Sequence, residues 1–444
     1  MTLTGKTYMR GADGYEEARR ATVWNAKIPD RFPDVIVQAA TEDDVRSAVD
    51  YAKAHDLRVG VRSGGHSWAA NHVRDGGLLL DVSRLNAVEV DRPTMTATVG
   101  PGRYGHEMCE ILDEQGLFFP AGHCKGVAVG GYLLQGGYGW NGRVLGPACE
   151  SVIGIDVVTA DGELLYADHQ QNRELYWAAR GAGPGFFGVV TRFHVKVYPK
   201  PAICGSSLYL YPMDLLEDVY RWAHEVGPKV DRRVEMQILM SAAFPDLGVD
   251  QPSILIASPV FADTEEEARR ALSLLDTCPV RDRALMAIPY APVQLSDWYE
   301  AVTHTYPDHH RYATDNMWTS ASIDDLLPGL RRIAETLPPP PSHCLWLNWG
   351  PSPSRQDMAY SMEDNTYIAL YTVWNDAADD SRHADWARSH MTAMAPHATG
   401  IQLADENLGR RPARFATDAA MERLDRARAT YDPEGRFHTW MGRI

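Results

Sequence analysis

The chain has 444 residues, 45% hydrophobic and 23% charged. These are the proportions of a soluble globular protein, and the length exceeds one ordinary core, which predicts two domains or one large composite one. Its 43 basic and 59 acidic residues leave a net charge of −16, which excludes a sequence-independent hold on nucleic acid or an anionic membrane and points to a small-molecule partner.

No run approaches the roughly 20 apolar residues that span a bilayer. The start, MTLTGKTYMRGADGYEEARR, lacks the apolar core of a secretory signal, so the expected location is the cytoplasm. Cys109, Cys124, Cys149, Cys204, Cys278 and Cys344 show neither a C-x-x-C pair nor framework spacing, which predicts reduced thiols and no metal site. Nothing in the sequence sets an oligomeric state.

Asp34 to Gln38 reads as a strand. Thr41 then caps a helix, with Asp44 three residues on and Val45, Ala48, Val49 and Ala52 on one face. Arg58 to Arg62 is the next strand, and it delivers a glycine loop, Val61 to Trp68 (VRSGGHSW), where ligands gather in such units. Gly77 to Val82 and Thr96 to Val99 are further strands, and Tyr104 to Glu114 is a helix. A second glycine-rich run follows, Gly122 to Trp140 (GHCKGVAVGGYLLQGGYGW). Val152 to Thr159 and Gly188 to Tyr198 complete a mixed α/β region, and Pro199-Lys200-Pro201 closes it.

Beyond that boundary, Leu208 to Tyr211, Val234 to Met240 and Ser253 to Phe261 read as strands, with a helix capped by Thr264 and Glu267. Cys344 to Gly350 and Thr366 to Trp374 follow, then a helix at Ala420 to Arg428. Strands without crossovers predict an antiparallel sheet backed by helices, one face of which can wall a pocket. The expected class is α+β, with domains at 1–200 and 201–409 and a C-terminal segment, 410–444, returning to the first.

The first run is not a dinucleotide G-x-G-x-x-G fingerprint, and no phosphate loop ending in G-K-[ST] occurs. Successive amides at Ser63, Gly64 and Gly65 offer a cradle for a pyrophosphate, with Arg62 and Ser67 as further donors. On spacing alone, His66 is as well explained by ordering its own loop as by a ligand. Cys124 is the one cysteine inside a motif, either a reactive thiol or a buried inert one.

The segment from Asp34 to Pro199 resembles the FAD-binding domain of the vanillyl-alcohol-oxidase superfamily (the PCMH-type fold), specifically its berberine-bridge-enzyme-like oxidoreductases. The match rests on R-S-G-G-H-S (62–67), D-V-S-R-L (81–85), A-G-H-C (121–124), V-G-G-Y-L-L-Q-G-G-Y-G (129–139), V-V-T-A-D-G (157–162), W-A-A-R-G-A-G-P-G-F-F-G-V-V-T (177–191) and Y-D-P-E-G-R-F (431–437). The resemblance implies a two-lobed FAD-binding domain followed by a substrate domain. It implies FAD bound covalently twice, His66 to the flavin 8α-methyl and Cys124 to C6, by imidazole nitrogen and thiolate. By the same resemblance Gly122, Gly130, Gly131, Gly136, Gly137 and Gly139 pass against the flavin, and Ile155 lies beside the adenine. Tyr132, eight after the cysteine, stands where relatives often have a histidine. Val127 and Ala128 are the small residues that in relatives leave oxygen a path.

The implied activity is hydride transfer from a small alcohol, sugar, phenolic compound or amine to flavin N5, with O2 as acceptor and hydrogen peroxide as product. A dehydrogenase with another acceptor, and a flavin-holding cyclase, isomerase or binding protein, remain alternatives. The acid or amide that relatives carry on the strand ending in tryptophan is Ala369 here, flanked at period two by Tyr367 and Tyr371. The segment 400–409 lacks the family's tyrosine and offers Gln402, Asp405 and Glu406. Tyr371, then Tyr367, are the expected bases, with Gln402 beside them, although core packing explains the tyrosines equally well. The cluster from His304 to Tyr312 is expected to be a solvated loop at the pocket mouth. Trp318, Trp346, Trp349 and Trp374 either line the pocket or belong to the core.

Overall fold

The structure is a computed structural model that describes residues 3–352 and 355–443. The predicted cap at Thr41 is a full capping box: Thr41 Oγ1 accepts from Asp44 N–H, and the Asp44 carboxylate accepts in return from Thr41 N–H at 3.2 Å. That carboxylate also accepts from the N–H groups of Thr4 at 2.8 Å and Gly5 at 3.0 Å, so one buried acid caps the helix and holds the amino-terminal strand. Helix Glu42–Ala54 buries Val45, Ala48, Val49 and Ala52 against a four-stranded sheet. In this sheet Val35–Gln38 and Val59–Arg62 run parallel to Leu78–Asp81 between them, with Lys6–Met9 antiparallel at the edge.

A second, five-stranded antiparallel sheet has the order Val88–Asp91, Thr96–Val99, Val189–Lys196, Val152–Val158, Leu164–Ala167. Its core takes in Ile401, Leu403, Leu424 and Trp440 from the end of the chain, and Phe437 forms a parallel bridge with Val59. The return of the C-terminal segment is therefore a matter of apolar burial on this sheet.

The third sheet has seven strands, every neighbouring pair antiparallel. Its order is Met286–Pro292, Ile203–Pro212, Ser253–Ala262, Gln237–Ser241, His343–Asn348, Thr366–Trp374, Arg311–Thr319. Period-two alternation divides its residues cleanly. Ile238, Met240, Ile254, Ile256, Trp346 and Ile368 are wholly buried in the core shared with helices Leu216–Val226, Ile323–Glu335 and Trp386–Met394. Leu239, Leu255, Leu345, Tyr367 and Tyr371 lie on the opposite face and line a cavity. The α+β class follows from this division.

Several elements depart from the sequence reading. The titratable cluster leads into a strand, Arg311–Thr319, and Met286–Pro292 closes the other edge of the sheet. Lys6–Met9 is mostly exposed and has no apolar alternation; backbone pairing to an edge holds it, which composition does not reveal. Trp318, Trp346 and Trp349 are buried in the core clusters. Among the described residues no helix is long and apolar enough to cross a membrane.

The second glycine run is pinned to the large sheet by a buried arginine just beyond it. Arg143 donates to the carbonyl oxygens of Trp349 (2.8 Å), Val234 (2.6 Å), Asp231 (3.0 Å) and Val230 (3.3 Å). Burial lowers its pKa to about 10, so it stays charged at neutral pH. Beside it the buried Glu235 accepts from Asn141 N–H and lies 3.1 Å from His123 Nε2. Arg143→Met strands several carbonyl groups and should cost about 3 kcal/mol, whereas Thr41→Ala should cost about 1. Thermal unfolding of the two variants checks that order.

Candidate active site

The two glycine runs are in direct contact. Ser63 Oγ, in the first, accepts from Gly131 N–H, in the second, at 3.1 Å. A Cβ at Gly64 would stand 2.7 Å from the Ala128 Cβ, so no larger residue fits there without parting the runs. Gly131 is different: a Cβ there would meet only Ser63 Oγ, at 3.8 Å, and would project into open cavity. Among the described residues, the backbone N–H groups of Gly64, Gly65, His66 and Ser67 have no protein partner. All four residues line the cavity, and donors left unused by the fold are what an anionic group needs.

That cavity has a volume of about 910 Å³ and is lined from both runs and from the large sheet. Of the residues expected at a cofactor, it is lined by Arg62, Ser63, Gly64, Gly65, His66, Ser67, Gly122, Cys124, Val127, Gly130, Gly131, Tyr132 and Gly137. Three of the expected residues lie off it. Gly136 and Gly139 are not on the cavity wall; glycine is required there because a Cβ would strike the Tyr360 ring or the Ala121 carbonyl. Ile155 faces inward from its strand, wholly buried in the core. Arg62 is largely committed elsewhere, pairing with Asp81 at 3.0 Å and donating to Gly64 O and Thr22 O. Ser67 Oγ likewise accepts from Asn71 N–H.

His66 stacks on Trp24, with centroids 4.1 Å apart, and meets Trp68 edge-on at 5.2 Å. Its Nε2 is buried and, among the described residues, has no hydrogen-bond partner. Burial lowers its pKa to about 4, so at neutral pH it presents an uncharged imidazole. Cys124 is a free thiol that burial, together with the charges of Asp405 and Asp308, pushes up to about 12. The protein alone therefore holds a neutral thiol here, where the sequence reading supposed a thiolate.

Across the cavity stands a buried carboxylate. Asp405 accepts from Trp68 Nε1 at 2.6 Å, from the Tyr371 hydroxyl at 2.9 Å and from the Tyr367 hydroxyl. Burial raises its pKa above the usual carboxylate range, while its three donors act in the opposite direction. Both tyrosines are pushed well above 10, first by burial and then by the Asp405 charge. Neither is set up as a free phenolate; each donates to an acid that can receive a proton. Gln402 also lines the cavity, but the polar contacts it makes are backbone ones, its N–H to Asn316 Oδ1 at 2.8 Å and its carbonyl to Asn316 Nδ2 at 3.1 Å. The same Asn316 amide donates to Asp405 O at 2.8 Å and so fixes the segment that carries the acid.

A second pair lies next to this cluster. His343 Nδ1 is 2.9 Å from Pro341 O, and Tyr306 hydroxyl is 3.0 Å from His343 Nε2. Burial lowers His343 to about 4, so the ring is neutral; with Nδ1–H given to Pro341 O, Nε2 accepts from Tyr306. The ring also stacks on Tyr371 at 5.0 Å. The sequence reading missed Trp24, Asn316 and His343. Asn316 and His343 are polar residues at inward positions of strands, a signal visible only once those strands and their faces are assigned.

A family profile described as an FAD binding domain matches residues 33–168. The FAD-linked oxidoreductase ptmO of Penicillium ochrochloron is 32% identical, covering 97% of this chain and 95% of its own. The FAD-linked oxidoreductase nodO of Hypoxylon pulicicidum is 30% identical, covering 96% and 94%. The solved structure of Physcomitrella patens BBE-like 1 superposes with a TM-score of 0.85 at 17% identity, covering 98% of this chain and 96% of that one. The free amides, the unpartnered His66 Nε2 and the space over Gly131 fit the bound cofactor these similarities imply. Gly131→Val should therefore leave thermal stability of the flavin-free protein nearly unchanged and lower its FAD content, whereas Gly64→Ala should lower both. Flavin absorbance per chain, read beside a melting curve, separates the two.

Proposed function

The chain belongs to the FAD-linked oxidoreductases and has the fold of the BBE-like proteins, and on that premise we propose that it is an oxidase whose FAD is held covalently at both His66 and Cys124. The observation that carries this reading is that the two nucleophilic side chains of the glycine runs line one cavity, His66 with its Nε2 free of any partner among the described residues and Cys124 with a free thiol. FAD bound there would supply the two-electron acceptor, taking a hydride at N5 from a substrate C–H bond and passing the electrons to O2 to give hydrogen peroxide.

The remaining work falls to the protein. Gly64 to Ser67 offer their N–H groups to a phosphate, and Trp24 holds the His66 ring in place by stacking. The Trp24 Nε1–H is fixed in turn by Asp308 at 2.7 Å. On the substrate side, a hydroxyl placed at Tyr371 or Tyr367 gives up its proton to the phenol oxygen as the phenol proton moves to Asp405. The raised pKa of Asp405 makes it a better proton acceptor than an exposed carboxylate. Ala369 left the expected strand without its acid, and that gap gave weight to a non-redox cyclase or isomerase. The carboxylate of Asp405, from the 402–405 segment, supports the redox reading instead.

Two experiments test the reading. His66→Ala and Cys124→Ala should each keep yellow flavin on the denatured chain through the other tether, and the double variant should lose it; denatured wild-type protein without colour would refute covalent binding. Asp405→Asn should retain flavin and lower the rate of its reduction by substrate at least 100-fold. The sign of the pH dependence follows from the role of base: activity requires the ionised acid and falls as pH drops through its pKa. Because that pKa is raised, the acid limb should lie above the usual range for aspartate and should vanish in Asp405→Asn.

A further inference from the structure

The cavity face of the seven-stranded sheet carries its polarity in rows set by strand register. Leu239 is the direct cross-strand neighbour of both Leu255 and Leu345. Leu208 pairs in the same way with Ala257 and Ile288. Residues that alternate with them, Tyr209, Ile238, Ile256 and Trp346, are wholly buried, yet Leu208, Leu239, Leu255 and Leu345 remain only partly buried. Four adjacent strands thus turn leucine side chains toward the cavity with apolar surface uncovered. Within these rows the polar side chain is Gln237, beside Ala257, and its amide is turned to Glu235 Oε2 at 3.3 Å; in the next row Ser241, His343 and Tyr371 pair, and Asp405 stands behind Tyr371.

Such a wall discriminates strongly. A sugar laid on it would bury hydroxyl groups against leucine without partners, which is costly, whereas a hydrocarbon surface gains from every methylene it covers. At the Tyr371 end of the patch stand groups that can receive a hydroxyl and take its proton. We propose that the substrate is a lipophilic alcohol, its hydrocarbon body on the leucine patch and its single hydroxyl at Tyr371, Tyr367 and Asp405, and that mono- and oligosaccharides are rejected. This rests on the oxidase reading above and narrows it. In the net reaction one alcohol and one molecule of oxygen give one carbonyl compound and one hydrogen peroxide: the carbinol C–H and O–H bonds break, the carbon is oxidised to a carbonyl, and oxygen takes both electrons and both protons.

The test is equilibrium binding of a series of 1-alkanols from butanol to decanol, with glucose and cellobiose for contrast. Calorimetry would use Asp405→Asn holoprotein under anaerobic conditions, and kcat/KM would be measured with wild-type enzyme. The dissociation constant should fall about fourfold per added methylene until the patch is covered, and the sugars should show no binding. Leu239→Gln and Leu345→Gln should each flatten the series, weakening decanol about 10-fold and butanol little, at unchanged flavin content. A flat series, as expected if a second copy of the chain or one of its own segments covered the patch, or tighter binding of cellobiose than of decanol, would overturn the proposal. Alkanols that bind with the expected slope but never reduce the wild-type flavin would overturn the oxidase reading and leave the apolar specificity standing. Oxidation of a sugar without alkanol binding would do the reverse.

Discussion

The close approach of two glycine runs is the constraint on which the site depends. Gly64 lies so near Ala128 that a single added carbon would force the backbones apart, and the hydroxyl of Ser63 closes the contact onto the Gly131 amide. The first run therefore leaves its strand, Val59–Arg62, with consecutive amides unused by the fold in residues that line a cavity. Two segments about 60 residues apart in sequence bring His66 and Cys124 to one wall. The glycines divide accordingly: Gly64, Gly136 and Gly139 serve chain packing, and Gly131 keeps space for a ligand.

A second tie crosses the cavity. Trp68 leaves the first glycine run and donates its indole N–H to Asp405, which also receives the hydroxyls of Tyr367 and Tyr371 from the large sheet. Trp24 and Asn25 reinforce the crossing through Asp308 and Tyr312. Burying a carboxylate is unfavourable unless donors surround it, and here the donors come from both sides of the cavity. The same desolvation that raises the Asp405 pKa gives the site a proton acceptor, so the group that joins the two walls also has the chemistry an alcohol oxidation requires.

The sequence made the glycine runs and their nucleophiles legible because closely spaced glycines, one histidine and one cysteine carry their signal locally. The Thr41 cap was legible for the same reason. The large sheet was legible as a class, since β-branched and aromatic runs without crossovers imply antiparallel strands. Its faces and edges were hidden: the Arg311–Thr319 strand followed a run of titratable residues, and Met286–Pro292 is largely exposed. Without the first of these, Asn316 had no reason to be noticed, and Asp405 was only one of three polar residues in a loop. Long-range pairing decided among them, and local pattern does not encode it. Ile155, placed by resemblance, lies on a correctly located strand with its side chain in the core, and which face a pleat turns inward is not written locally either.

The account stands most directly on the claim that both glycine runs present a nucleophile to the same flavin. Proteolysis of the purified wild-type protein followed by mass spectrometry of the yellow fraction addresses it. The account predicts one flavin joined to two peptides, one containing His66 and the other Cys124. Flavin released free on denaturation, or bound to a peptide containing neither residue, would contradict it.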